Sequence, residues 1–195
     1  MTYAPKNFQN LLGTPGFSDT LLTTHFGLYE GYVKNTNTLL ETLEKYRQEG
    51  KSATPEYAEL KRRFGWEWNG MRLHEYYFEN LSKEKQNKNS ALKTNERLTK
   101  TFGNFDNWMK DFKASGVMRG IGWVILYCDP HDKKLFNTWV NEHDIGHLAG
   151  CTPLFVMDVF EHAYITDYST KRAEYIDAFF EAINWTEVEK RFRRF

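Results

Sequence analysis

The sequence predicts an α+β chain: an N-terminal antiparallel helical hairpin, then an α/β domain in which helices flank a three-stranded antiparallel sheet. Three observations lead there. Two long segments before residue 82 carry apolar residues at helical spacing and are joined by a short polar turn. The polar run 82–95 follows, with almost nothing to bury. Beyond Gly116 the character shifts to β-branched and aromatic runs punctuated by turn residues. With 195 residues, 41% of them hydrophobic and 16% aromatic, the chain is long enough for one sizeable domain or two small ones sharing an interface.

Residues 1–17, with Pro5, Gly13, Pro15 and Gly16, read as an irregular arm, and Ser18 or Asp19 offers an N-cap. Over residues 21–47 the positions Leu21, Leu22, His25, Phe26, Tyr29, Tyr32, Val33, Leu40 and Leu43 recur with helical spacing. His25 and Tyr32 are two turns apart and so share a face. A polar turn, 48–52, ends this helix, and a second over 55–81 places Met71, His74, Tyr77 and Phe78 on one stripe. In an antiparallel hairpin His25 and His74 then face each other. The solvated run 82–95 marks a boundary between a unit 1–90 and a unit 91–195. A helix follows with Leu98, Phe102, Phe105, Trp108, Met109 and Phe112 on its apolar side, interrupted near Gly103 and stopped by Gly116. Strands are expected over 117–127, 135–140 and 154–157, with a turn at 129–132 between the first two. Helices over 160–168 and 170–184 and a basic tail, 190–194, close the chain.

Charge and targeting narrow the function classes. Lys plus Arg equals Asp plus Glu, 26 of each, which gives no electrostatic case for nucleic acid or an anionic membrane as a partner. No stretch is apolar for long enough to span a bilayer, and the first ten residues lack the charged-then-apolar order of a signal peptide, so the cytoplasm is the expected compartment. Cys128 and Cys151 form no Cys-x-x-Cys motif and read as structural thiols.

The chemistry concentrates at residues 158–164. Asp158 and His162 stand four apart, so one turn of chain can aim both at one point. Phe155, Val156, Met157 and Phe160 around them imply a dry interior, where a carboxylate needs a compensating charge such as a metal ion. Six histidines are present: His25, His74, His131, His143, His147 and His162. One alone on an apolar face is ordinarily a hydrogen-bonded core residue. One on each hairpin arm, with Asp158 and His162 at a strand end, makes a set that suits Fe, Mn or Zn rather than Ca or Mg. His131 and His147 read as surface residues.

The run Asp158-x-x-Glu161-His162-Ala163-Tyr164, followed by Asp167-Tyr168, Lys171-Arg172-Ala173-Glu174-Tyr175 and Asn184-Trp185, closely resembles the C-terminal signature of the iron/manganese superoxide dismutases. Tyr32-Val33-Lys34-Asn35, His74-x-x-Tyr77-Phe78, Phe102-Gly103 and Gly120-Ile121-Gly122-Trp123 extend the resemblance in order along the chain. It implies an antioxidant oxidoreductase that disproportionates superoxide through M(III)/M(II) cycling at one iron or manganese ion per subunit, iron being favoured. The implied ligands are His25, His74, Asp158 and His162, with Tyr32 at the substrate gateway. Trp123 and Phe160 wall the site, and Tyr77 and Phe78 add to its aromatic shell. A glutamine that the family sets beside the metal's solvent ligand has no counterpart: its helix position is Gly70, and the strand-region segment 140–144 contains none. The role falls to His143, with Glu142 the weaker candidate. Glu161 bonds the ligand histidine of the other subunit in the family, which implies a homodimer held by Glu161–His162 contacts.

Two departures point to a changed gateway. The stretch between His25 and Tyr32 is one residue shorter than in the family and has Tyr29 and its neighbours where the family has paired histidines. Ile165 replaces the tyrosine that pairs with one of them. The seven-residue spacing keeps His25 and Tyr32 on one face, as if a bulge had been removed. Another iron-dependent redox enzyme on the same scaffold, using oxygen or peroxide, and a catalytically silent metal-binding homologue are the alternatives.

Overall fold

The computed structural model describes residues 2–194; Met1 and Phe195, the ends of the two expected units, lie outside them. Ser18 starts the first helix, its Oγ accepting the Leu21 N–H at 3.0 Å, and α1 (Asp19–Gln48) runs unbroken from there. Thr54 caps α2 (Pro55–Glu79) in the same way, with Pro55 in the first turn, where its missing N–H costs nothing. The two helices pack as the expected hairpin. The N-terminal arm is laid against them: Tyr3 N–H donates to Asn37 Oδ1 at 2.8 Å and Lys6 N–H to Tyr29 Oη at 2.9 Å.

The remaining elements are α3 (Leu92–Phe102), α4 (Phe105–Gly116), β1 (Gly122–Cys128), β2 (Leu135–Asn141), β3 (Thr152–Asp158), α5 (Ile165–Tyr168), α6 (Arg172–Glu181) and α7 (Trp185–Phe192). Gly103, at φ +86°, makes the break between α3 and α4 that a side chain would resist. The sheet order is β2-β1-β3, all antiparallel, and every residue of central β1 is buried. Its register sets Trp123 opposite Asp158 on one side and Val140 on the other. Asn80, capping α2, donates to the Val156 carbonyl at 2.7 Å and so pins the hairpin to β3.

Four expectations change. The first strand begins at Gly122 rather than at residue 117, because Arg172 gathers the Met118 and Gly120 carbonyls, each at 2.8 Å, and holds this segment in a turn. The expected helix 160–168 is a single 3-10 turn, Glu161–Ala163, followed by the short α5, with Tyr164 leaving helical geometry between them at φ −146°. The basic tail is the end of α7: Arg191 is only 3% exposed and donates to Asn80 Oδ1 at 2.7 Å and to Glu79 at 2.8 Å. The polar run 82–95 is tied down as well. Gln86 donates to Asn184 Oδ1 at 3.1 Å and accepts from Thr186 N–H at 2.9 Å, while α3 starts within the run and buries Thr94.

Candidate metal centre

Four segments deliver one donor group each. α1 supplies His25, α2 His74, the last residue of β3 Asp158, and the 3-10 turn after it His162. Their donor atoms all lie within 4.8 Å of one another, and all but His162 are buried. Asp158 Oδ2 is the centre of the group, 3.1 Å from both His25 Nε2 and His162 Nε2 and 3.7 Å from His74 Nε2. The carboxylate cannot turn away. Its Oδ1 accepts the Phe160 N–H at 2.8 Å, and the Asp158 carbonyl accepts the Tyr175 hydroxyl at 2.6 Å.

His74 tests whether these residues suit a metal. Its Nδ1 faces the Gly70 carbonyl, which can only accept, so Nδ1 carries the hydrogen and Nε2 presents a lone pair. That Nε2 is fully buried and, among the described residues, has no hydrogen-bond partner. An orphaned buried acceptor costs on the order of 1–3 kcal/mol, and a cation at the point where the four donors converge removes that cost. Protonation does not serve instead, because burial pushes the His25 and His74 imidazoles below their ordinary value, outweighing the attraction of Asp158. Burial also pushes the Asp158 carboxyl up, but His162 and His25 overcome it and hold the group well below the usual carboxylate range. Neutral imidazoles with one carboxylate form the donor set that Fe, Mn or Zn takes.

A second layer leans on the first. His143, in the loop after β2, is fully buried. Trp123 Nε1–H donates to its Nδ1 at 3.0 Å, so the hydrogen of the neutral ring is on Nε2, which donates to Tyr32 Oη at 2.7 Å. Burial lowers His143 to about 4, which keeps that ring neutral. Tyr32 stacks on His74 with ring centroids 5.2 Å apart, and a Cβ at Gly70 would stand 2.5 Å from its ring. The missing side chain at Gly70 is what lets the phenol lie there. α1 is a regular helix through residues 26–31, so His25 and Tyr32 do stand two turns apart on one face.

Phe160 stacks on His143 at 4.7 Å, Trp123 meets His74 edge-on at 5.0 Å, and Tyr77 and Phe78 lie 5.1 and 4.9 Å from His25. Glu142 is half-buried at φ +52°, and it is His143 whose ring meets Tyr32. Tyr29 is buried and bonded to Glu75 at 3.1 Å, Ile165 is exposed, and so is His131. His147, expected at the surface, is half-buried and hydrogen-bonded through both ring nitrogens. Sequence reasoning also passed over Trp66, whose ring meets His143 edge-on at 4.8 Å. Its signal was there: Trp66, Gly70, His74 and Phe78 recur every fourth residue along α2.

A family model for the C-terminal domain of iron/manganese superoxide dismutases matches residues 88–191. Among curated relatives, an iron superoxide dismutase of Cupriavidus metallidurans is 36% identical over 183 residues, covering 91% of this chain and 89% of its own length. One of Aquifex pyrophilus, also named for iron, is 35% identical over 196 residues, covering 97% and 91%. A manganese superoxide dismutase of Haloferax volcanii is 32% identical over 181 residues, covering 92% and 89%.

Proposed function

The chain belongs to the iron/manganese superoxide dismutase family, and from that membership we propose that His25, His74, Asp158 and His162 hold its metal, while Tyr32, His143 and Trp123 handle the protons of its reaction. The enzyme disproportionates superoxide to oxygen and hydrogen peroxide with iron or manganese as cofactor. The observation that carries the ligand assignment is the unpartnered, buried Nε2 of His74 aimed at Asp158 Oδ2.

When bound, the ion supplies a one-electron M(III)/M(II) couple matched to taking an electron from one superoxide and giving it to the next. Everything else falls to the side chains. Asp158 brings one negative charge to a dry site and offsets part of the cation's. His25 and His74 stay neutral and donate lone pairs. Reduction of the second superoxide to hydrogen peroxide requires two protons, and the interior around the site is aromatic, so they must come along a polar path. Tyr32 Oη already accepts the His143 hydrogen, which leaves its own hydrogen free to donate toward the site. Burial, with the negative charges of Asp158 and Glu67, pushes that phenol up to about 12, so Tyr32 remains protonated throughout the neutral range. Trp123 fixes the tautomer of His143 and hence the direction of the chain.

In this reading the molecule acts as a cytoplasmic antioxidant homodimer and divides at 90/91 into hairpin and α/β units. No described helix is long and apolar enough to cross a membrane. Glu161 is exposed beside His162, whose Nε2 is already occupied by Asp158, so Nδ1 is the nitrogen that remains for the Glu161 of a second copy. A Glu161→Ala variant is then expected to become monomeric and to release metal on dilution; a stable, metal-replete dimer would rule the contact out. All four donors are intact and convergent, so neither the other iron-dependent redox enzyme nor the silent homologue has an observation in its favour.

The deciding experiment is superoxide disproportionation by protein reconstituted separately with iron and with manganese, with bound metal quantified in each. Turnover proportional to one or both metals is expected. Full occupancy without turnover in either sample would overturn the proposed roles of the site residues.

A further inference from the structure

The loop that carries His143 is itself held by a residue outside the donor set. Chain 141–147 leaves β2 in a tight excursion. Asn141 and Ile145 exchange backbone bonds of 2.7 and 3.3 Å. Gly146 stands at φ +105°, where a Cβ would meet the Trp139 carbonyl at 2.9 Å. This loop drives His143 into the interior and carries with it a backbone carbonyl that requires a donor. His147 supplies one, its Nε2 lying 2.9 Å from the His143 oxygen. A carbonyl only accepts, so Nε2 holds the hydrogen and Nδ1 of the neutral ring is left as an acceptor. Tyr127 Oη, 2.6 Å from Nδ1, is therefore the donor. Burial pushes the Tyr127 phenol upward, so it keeps the hydrogen it gives. Tyr127 and Trp123 stand four residues apart on β1 and so project from one face. From that face β1 grips His143 twice, by the ring through Trp123 and by the backbone through Tyr127 and His147.

We propose that His147 is a positioning residue for proton delivery: oriented by Tyr127, it fixes the backbone of His143 and thereby the reach from His143 Nε2 to Tyr32 Oη. The proposal rests on the reading of His143 and Tyr32 as the proton-handling pair. A structural prop alone would make any residue of similar bulk an adequate replacement. A positioning role requires an N–H at the place of Nε2.

Three variants separate these. His147→Leu removes the donor, His147→Gln keeps an N–H within similar reach, and Tyr127→Phe removes the hydroxyl that orients the ring. The first readout is the Trp123 indole N–H resonance in metal-free protein, which reports the bond to His143 whatever the protein catalyses. The second and third are the midpoint potential and kcat of samples matched in metal content. In His147→Leu the indole resonance and the potential are expected to move and kcat to fall about tenfold, the effect typical of a lost partner behind a metal site. In Tyr127→Phe the same changes follow in weaker form. In His147→Gln the resonance and potential return, with kcat within about twofold of wild type, a small fraction of that loss. His147→Leu at wild-type values, or His147→Gln as impaired as His147→Leu, would overturn the proposal. Should His147→Leu fail to fold, the other two decide: altered Tyr127→Phe beside normal His147→Gln supports it, and any other result overturns it. Wild-type protein without superoxide turnover would remove the dismutase reading and leave the indole comparison to judge the clamp.

Discussion

Gly70 shows how one atom decides the site. Introducing alanine into a helix normally gains up to about 1 kcal/mol over glycine. Here the new Cβ would lie 2.5 Å from the Tyr32 ring, which is itself stacked on His74. Overpacking of this kind costs about 1–3 kcal/mol, so the clash wins: Gly70→Ala should lower the melting temperature and displace Tyr32, cutting turnover, and a stabilised, fully active variant would contradict this placement. His74 gives the opposite sign. Replacing it by leucine removes a buried acceptor without a partner, so His74→Leu is expected to stabilise the metal-free protein by about 1–2 kcal/mol while abolishing metal binding. Chemical denaturation in the presence of chelator checks the first effect and metal analysis the second. Of these residues the sequence revealed Asp158 and His162 readily, because four residues of spacing is a local fact. His147 and Tyr127 were illegible for the converse reason: they meet only once the loop after β2 has turned back over β1, and spacing along the chain carries no trace of that.

At the scale of elements, periodicity made the hairpin plain, since α1 and α2 each repeat their apolar positions over many turns. The C-terminal elements are less legible, because a charged segment resembles an exposed one. Lys190, Arg191 and Arg193 look like a solvated tail, yet α7 buries Arg191 among Asn80, Leu154 and Glu79. The same helix also caps another. Glu189 accepts the Lys93 N–H at 3.1 Å and the Thr94 N–H at 2.9 Å, supplying to α3 the N-terminal acceptor that Ala91 does not. Glu189→Gln keeps the shape and loses the charge, with an expected cost of about 1 kcal/mol at neutral pH. Burial raises the Glu189 carboxyl, but the Thr94 amide and Arg193 outweigh it and leave it below its ordinary 4.5. A carboxyl lowered by folding contributes fully above its unfolded value and loses that contribution as pH falls through the lower folded one. The stability difference between wild type and Glu189→Gln should therefore be constant near neutrality and vanish in acid below pH 4.5. A difference independent of pH would show that the charge does not cap α3.

Across the whole molecule the proposed metal site lies where the hairpin meets the sheet. Two donors come from α1 and α2 and two from the end of β3 and the turn beyond it, so an ion bound there joins segments more than a hundred residues apart along the chain, as His25 and Asp158 already are through their contact. The sequence named these residues through a family pattern. Their convergence to one point is a product of tertiary packing, which no periodicity encodes. Such a site binds the native state and not the unfolded chain, and the linkage is quantitative: free ion at a thousand times Kd adds about 4 kcal/mol. For a domain of this size about 1 kcal/mol moves Tm by roughly 2–4 °C, so removing the metal should lower it by about 10 °C. Calorimetry of loaded and chelated protein measures the gap, and His25→Ala supplies the control, because a variant that has lost one hairpin donor should melt at nearly the same temperature with or without metal. Equal melting temperatures for loaded and stripped wild type, at verified occupancy, would mean that the unfolded chain binds the ion as tightly as the native state, as a local Asp158–His162 pair could, and that His25 and His74 are not both its ligands.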